Sequence, residues 1–187
     1  MNDSLIPSRY AKALFKLASE RAIEDGLYQA MRHITAVFES GQGHNFRQTI
    51  SNPFVPEKQK RELVMAAAGL DNADTSVAQT LNDFLTLVFQ NNRIAELRGM
   101  VYAYDSIYRA HKHISRVHVT WAAQPTPHAE ERLRTLIAQK LQDTKMEYSQ
   151  SVDPALIGGF KIAIDNEQLD ASVENELRQL RQQILSK

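Results

Sequence analysis

Along the first 110 residues apolar side chains recur at steps of three and four, the spacing of helices with one buried face; beyond that point stretches with a step of two appear. Tyr10, Ala11, Leu14, Phe15, Leu17 and Ala18 predict a first helix from Pro7 to about Ala22, with Pro7 suited to its first turn. Asp25-Gly26 reads as an interruption, after which Leu27, Met31, Ile34 and Phe38 mark a second amphipathic helix that Gly41-Gln42-Gly43 ends. A short third helix around Phe46 to Ile50 stops at Ser51-Asn52-Pro53, and Pro56 opens a fourth that carries Leu63, Val64 and the run from Ala67 to Gly69. A fifth is expected from about Asp74 to Asn92. Its core stripe is Val77, Leu81, Phe84, Leu85 and Val88, yet Leu87 and Phe89 are also apolar and fall off it. An apolar surface that wide belongs either to the centre of a bundle or to a helix with a second contact surface. A sixth helix carries Ile94, Leu97, Val101, Tyr104 and Tyr108, and Arg109, His111, Lys112 and His113 gather at its end, where the helix dipole favours cations.

The period then changes. Val117, Val119 and Trp121 alternate with Arg116, His118 and Thr120, which predicts a strand within Ile114 to Ala123. Thr126-Pro127 caps a helix carrying Leu133, Leu136, Ile137 and Leu141, and Met146 to Val152 reads as a second strand. Asp153-Pro154 opens a turn, and Gly158-Gly159 supplies backbone that can take positive φ or lie close to a neighbour. Phe160, Ile162 and Ile164 make a third strand, broken at Asp165-Asn166 and resumed briefly at Leu169, before Asp170 or Ser172 caps the closing helix. The expected architecture is mainly α: a six-helix bundle over residues 1–110, then a small α/β domain over residues 111–187.

Composition narrows the function classes. Without cysteine there are no disulfides and no thiolate metal sites. Lys+Arg and Asp+Glu both total 22, and the balance holds on both sides of residue 110, so no basic footprint for nucleic acid emerges. No apolar run approaches the roughly 20 residues of a membrane span, and Met1 to Tyr10 lacks the features of a secretory signal. The expectation is an intracellular protein that reaches any membrane through partners, with no direct insertion.

Candidate chemistry is sparse. His111 and His113 sit two apart near a helix end, where an i, i+2 pair points apart, and no ligand spacing accompanies them. His118 and His128 read as strand-surface and helix-start residues. Gly158-Gly159 lacks the Gly-Lys-Ser/Thr and the following helix of a phosphate loop, and no Gly-x-Ser-x-Gly elbow occurs. No catalytic residue, cofactor or metal is therefore expected, and the residues alone fit an associative role such as a helical adaptor with an appended α/β domain.

The run Asp153-Pro154-x-Leu156-Ile157-Gly158-Gly159-Phe160, followed by Leu169-Asp170-x-Ser172-Val173, resembles the C-terminal signature of the delta subunit of F-type ATP synthase, the oligomycin-sensitivity-conferring protein family. Tyr10-Ala11-Lys12-Ala13-Leu14-Phe15, Asn52-Pro53 and Asn91-x-Arg93-Ile94 extend the resemblance to the whole chain. Ala171, where many members have Gly, and Glu174 and Asn175 depart from the family pattern. The resemblance implies a peripheral-stalk, or stator, subunit on the cytoplasmic face of the bacterial inner membrane. Its N-terminal bundle would hold N-terminal helices of alpha subunits, and its C-terminal domain the C-terminal ends of the b subunits. It also implies a groove between the first and fifth helices, whose matching positions here are Tyr10, Ala13 and Leu87. Groove and core readings both remain open for Tyr10 and Ala13. Leu87 favours the groove, because its stripe is otherwise polar at Thr80 and Asn91. Asp153, Leu156, Gly158, Gly159, Phe160, Asp170 and Ser172 are expected to be structural.

Overall fold

A computed structural model describes residues 5–70, 75–141, 144–165 and 167–185. Asp74 and Asn166, named above at an element start and a strand break, lie outside them. The chain divides into two compact units, one ending at Tyr108 and the other beginning at Arg109.

The first unit is helical: α1 (Leu5–Glu20), α2 (Glu24–Glu39), α3 (Gly43–Ser51), α4 (Glu57–Ala67), α5 (Ser76–Gln90), a 3-10 turn (Ile94–Glu96) and α6 (Leu97–His111), whose last turn crosses into the second unit. Its core is Leu27, Met31, Ile34, Ile50, Leu81, Leu85, Leu97 and Tyr104, all within 1 % of full burial. Each such side chain contributes about 1.5–3 kcal/mol of apolar transfer. Burial first, and the nearby Glu24 carboxylate second, push the Tyr104 phenol well above its ordinary pKa, so the ring stays neutral.

Two expected boundaries move. Asp25-Gly26 does not interrupt a helix; it lies in the first turn of α2, and the break falls at Arg21–Ile23, where Ala22 takes φ 53°. Acidic residues suit a helix N-terminus. Tertiary contacts hold the pair there: the Tyr108 hydroxyl donates to Asp25 Oδ1 at 2.8 Å, and a side chain on Gly26 would meet Val77 Cγ2 at 2.9 Å. Tyr108 also stacks on Tyr28 with ring centroids 3.8 Å apart. At the other end of α2 the chain leaves at Ser40, and Gly43 begins α3 instead of ending α2. A Cβ there would strike the Phe38 carbonyl, so this turn closes on the bare backbone of glycine.

The second unit contains β1 (Ile114–Trp121), α7 (Pro127–Leu141), β2 (Lys145–Val152), β3 (Gly159–Ile164), β4 (Glu167–Ser172) and α8 (Val173–Leu185). The strands form one sheet in the order β2-β1-β3-β4. The parallel β1/β2 pair is bridged by α7, whereas β3 runs antiparallel to both β1 and β4. The step of two is what makes one face apolar: Val117, Val119, Trp121 and Ile162 pack with Ile137 of α7. The brief resumption expected at Leu169 is a full strand, because β3 pairs all six of its residues even though most are polar. The opposite sheet face carries Arg116, His118, Thr120, Lys161 and Asp170.

Candidate partner-binding surfaces

Two surfaces of the first unit's helices converge on the expected groove positions. The Tyr10 ring, half-buried on α1, meets Phe84 of α5 edge to face, with centroids 6.4 Å apart. Just beyond α1, Arg21 donates to Thr80 Oγ1 at 2.8 Å and lies 4.0 Å from Asp83. One turn after Tyr10, Ala13 is exposed. One turn after Phe84, Leu87 is 46 % exposed, which is not the burial of a core leucine. The structure therefore joins Tyr10 to α5 and leaves Ala13 and Leu87 open to solvent on the adjoining turns. Phe89, the other residue off the stripe, is half-buried with the Arg61 guanidinium 5.4 Å over its ring.

In the second unit the family-motif residues tie four segments together. Asp153 Oδ1 accepts from Ala155 N at 3.0 Å, its own N–H donates to Trp121 O at 2.8 Å, and Leu156 is buried behind this turn. Gly158 lies against Val173, whose N–H donates to its carbonyl at 3.0 Å. Gly159 has φ 80°, and Phe160 packs on Trp121 at 5.1 Å. Asp170 Oδ1 accepts from Ser172 N at 3.0 Å, and Ser172 Oγ accepts from Asn175 N at 3.3 Å, the capping bond of α8. Asp170 and Ser172 thus share the work: one fixes the turn, the other caps.

Hydrogen bonds from Ser172, with the Lys161 ammonium 3.6 Å away, hold the Asp170 carboxyl below the usual aspartate pKa. A lowered folded-state pKa means that this support is present above the unfolded value of about 3.9 and is lost as pH falls through the lower folded value. A carboxyl-carbon NMR titration is expected to place the Asp170 midpoint below that of free aspartate. Asp170→Asn is expected to remove the matching acid step in exchange protection of the Ser172 amide; an unshifted midpoint would remove this cap linkage.

Two apolar features of this unit face outward. A recess of ≈ 340 Å³ between α7, β3 and β4 is lined by Leu133, Leu136, Phe160, Ile162 and Leu169 among others. Along α8, Val173, Leu177, Leu180 and Ile184 form an exposed stripe at steps of four, three and four.

Some functional chemistry was not legible locally. His118 does sit on the strand surface, but its ring nitrogens contact Ser149 Oγ and Ser151 Oγ, each at 2.9 Å. Arg109, expected as a helix-end cation, is buried and pairs with Glu147 at 2.9 Å. Thr80, expected on a polar stripe, is fully buried because Arg21 donates to it and its own hydroxyl donates to Ser76 O. His111 ends α6 and His113 follows at φ 50°, and among the described residues no three metal-ligating side chains gather.

Comparison with known proteins agrees with the motifs. The family model described as ATP synthase delta (OSCP) subunit matches residues 6–184. The chain is 33 % identical over 183 residues to the ATP synthase subunit delta of Phocaeicola vulgatus, covering 98 % of this chain and 95 % of that one. It is 31 % identical over 170 residues to the subunit delta of Streptococcus pyogenes serotype M1, covering 91 % and 90 %. Among solved structures, a chain of the cryo-EM structure of the Toxoplasma gondii mitochondrial ATP synthase hexamer shares its fold, with a TM-score of 0.74 at 20 % identity over 96 % of this chain and 97 % of that one.

Proposed function

The chain belongs to the ATP synthase delta (OSCP) subunit family, whose members are non-catalytic peripheral-stalk subunits of ATP synthase, and from this premise we propose which surface meets which partner. Residues 1–110 act as a six-helix bundle that seats on the catalytic hexamer and holds an alpha-subunit N-terminal helix between α1 and α5. Residues 111–187 hold the C-terminal ends of the b subunits. The complex acts at the cytoplasmic face of a bacterial inner membrane, and the chain reaches that membrane only through its partners. Among the described residues no helix is long and apolar enough to cross a membrane.

Leu87 carries the first assignment. A leucine 46 % exposed one turn from an α1–α5 ring contact offers an anchor to an amphipathic helix, which binds through apolar residues three and four apart. Ala13 lets a partner backbone approach, and Tyr10 offers an apolar ring with a polar tip. For the second assignment the support is the α7/β3/β4 recess together with the exposed stripe of α8. The mechanism is mechanical: torque from the rotating shaft would turn the hexamer with it, and a brace from hexamer to membrane anchor keeps rotation coupled to ATP synthesis.

Calorimetric titration of the full chain with a synthetic alpha N-terminal peptide tests the reading. Saturable one-to-one binding with a negative heat-capacity change, the mark of apolar burial, is expected. Heat no greater than that of a scrambled peptide would overturn it.

A further inference from the structure

The inner face of α4 holds a residue that does not belong in a core. Lys60 is 8 % exposed and lies one turn before the fully buried Val64, where a helix of this kind normally places an aliphatic side chain. Among the described residues its ammonium has neither a hydrogen-bond partner nor an ion pair. Glu57, one turn earlier, gives its carboxylate to Arg61 at 2.6 Å. Among the described residues Lys60 Nζ is not one of the polar side-chain atoms sealed from solvent, so it keeps an opening. That opening is a recess of ≈ 360 Å³ lined by Pro53, Val55, Lys60, Phe89, Asn92 and Ile94 among others. Both loop motifs outside the groove, Asn52-Pro53 and Asn91-x-Arg93-Ile94, therefore contribute to its wall, and neither has a role in the α1/α5 surface.

An ammonium on a largely buried stem, with no counter-charge among the described residues, favours a carboxylate supplied from outside. The lining narrows the class of ligand. One ammonium among Pro53, Val55, Phe89 and Ile94, with the Glu57 carboxylate nearby, suits a single negative charge on a short apolar neck and disfavours a doubly charged phosphate. Phe54, between two lining residues, is 92 % exposed, an apolar platform beside the mouth. We propose that this recess binds a glutamate or aspartate side chain of a partner polypeptide, with Lys60 as its counter-charge and Phe54 covering the partner's adjacent apolar residue. This contact is separate from the α1/α5 groove and holds whether or not that groove binds a helix.

The test is an NMR titration of the full chain with acetyl-Leu-Glu-amide and with acetyl-Leu-Gln-amide, following the amides of Val55, Asn92, Ile94 and Ala95. A hydrogen bond to a charged group is worth enough that the acidic peptide is expected to bind about tenfold or more tightly than the neutral one. Lys60→Met keeps the buried stem, is expected to melt no lower than the parent, and should erase the difference between the peptides. Should that variant fail to fold, Val55→Glu serves instead: a carboxylate at the rim occupies Lys60 in cis and should suppress the acidic peptide's binding about tenfold. Equal binding of the two peptides, shifts centred away from the recess, or inorganic phosphate binding as tightly as the acidic peptide would each overturn the proposal.

Discussion

Gly159→Val is expected to unfold the second unit selectively and to leave the first unit's transition in place. Gly159 has φ 80°, a conformation that costs a branched L-residue about 1–3 kcal/mol before any contact is considered. Contacts then add to this. A Cβ at this position runs into the Ala171 carbonyl oxygen and comes within 3.0 Å of Ser172 Cα, both backbone atoms of the paired strand β4. Backbone cannot rotate aside as a long side chain can, so the hairpin must separate, and with it the turn that caps α8. Overpacking of this kind adds roughly another 1–3 kcal/mol. A unit of this size holds only about 4–12 kcal/mol in all, so the melting temperature should fall by on the order of 15 °C or more.

The readout is clean because the chain has one tryptophan, Trp121, and it belongs to the second unit's core. Its fluorescence follows that unit alone, while far-ultraviolet circular dichroism is dominated by the helices of the first. Gly41→Ala is the control: nothing lies within 4 Å of its added methyl and its φ is not positive, so the change should stay within about 1 kcal/mol. Fluorescence melts of Gly159→Val and Gly41→Ala that coincide would show that the β3 entry tolerates a side chain.

What could be read from the sequence was what local pattern controls. Val117, Val119 and Trp121 alternate, and the sheet follows; Thr126 and Ser172 precede apolar periods, and both cap helices. Of the two apolar residues off the α5 stripe, Leu87 is exposed and Phe89 is half-buried under Arg61, a difference the spacing alone does not give. Two failures are local, the Gly43 turn against the Phe38 carbonyl and the β4 strand paired to adjacent β3; the others involve partners far away in sequence. Asp25-Gly26 has the chemistry of a turn, and only Tyr108 and Val77 from distant helices make it the start of α2. Thr80 is polar yet buried because Arg21 reaches it from 59 positions away. Lys60 lies in a run of charged residues, Glu57 to Glu62, that reads as a solvated face; no neighbour in sequence announces that this one lysine turns inward. Phe54 is the mirror case, a large ring left outside. The site residues least visible beforehand are those whose environment is assembled by tertiary packing.

Leu87→Asp is expected to abolish most of the affinity for the alpha N-terminal helix while the first unit stays folded. Its folding cost is small because the side chain is 46 % exposed and the bonds that end α5 use the Leu87 carbonyl, which the substitution keeps. A carboxylate near a helix C-terminus and the poorer helix propensity of aspartate together cost about 1 kcal/mol. The binding cost is larger, since the partner's apolar face would bury an unpaired carboxylate where it met a leucine. A central anchor lost in this way weakens a groove contact by roughly 2–4 kcal/mol, or about thirtyfold and upward in dissociation constant. Leu87→Ala, which removes apolar area without adding charge, should fall between the parent and the aspartate variant. The ordering discriminates between mechanisms: a loss of the helical transition in Leu87→Asp would make the residue a core position. A folded variant that bound the peptide as tightly as the parent would move the grip to some face other than that of Tyr10, Ala13 and Leu87.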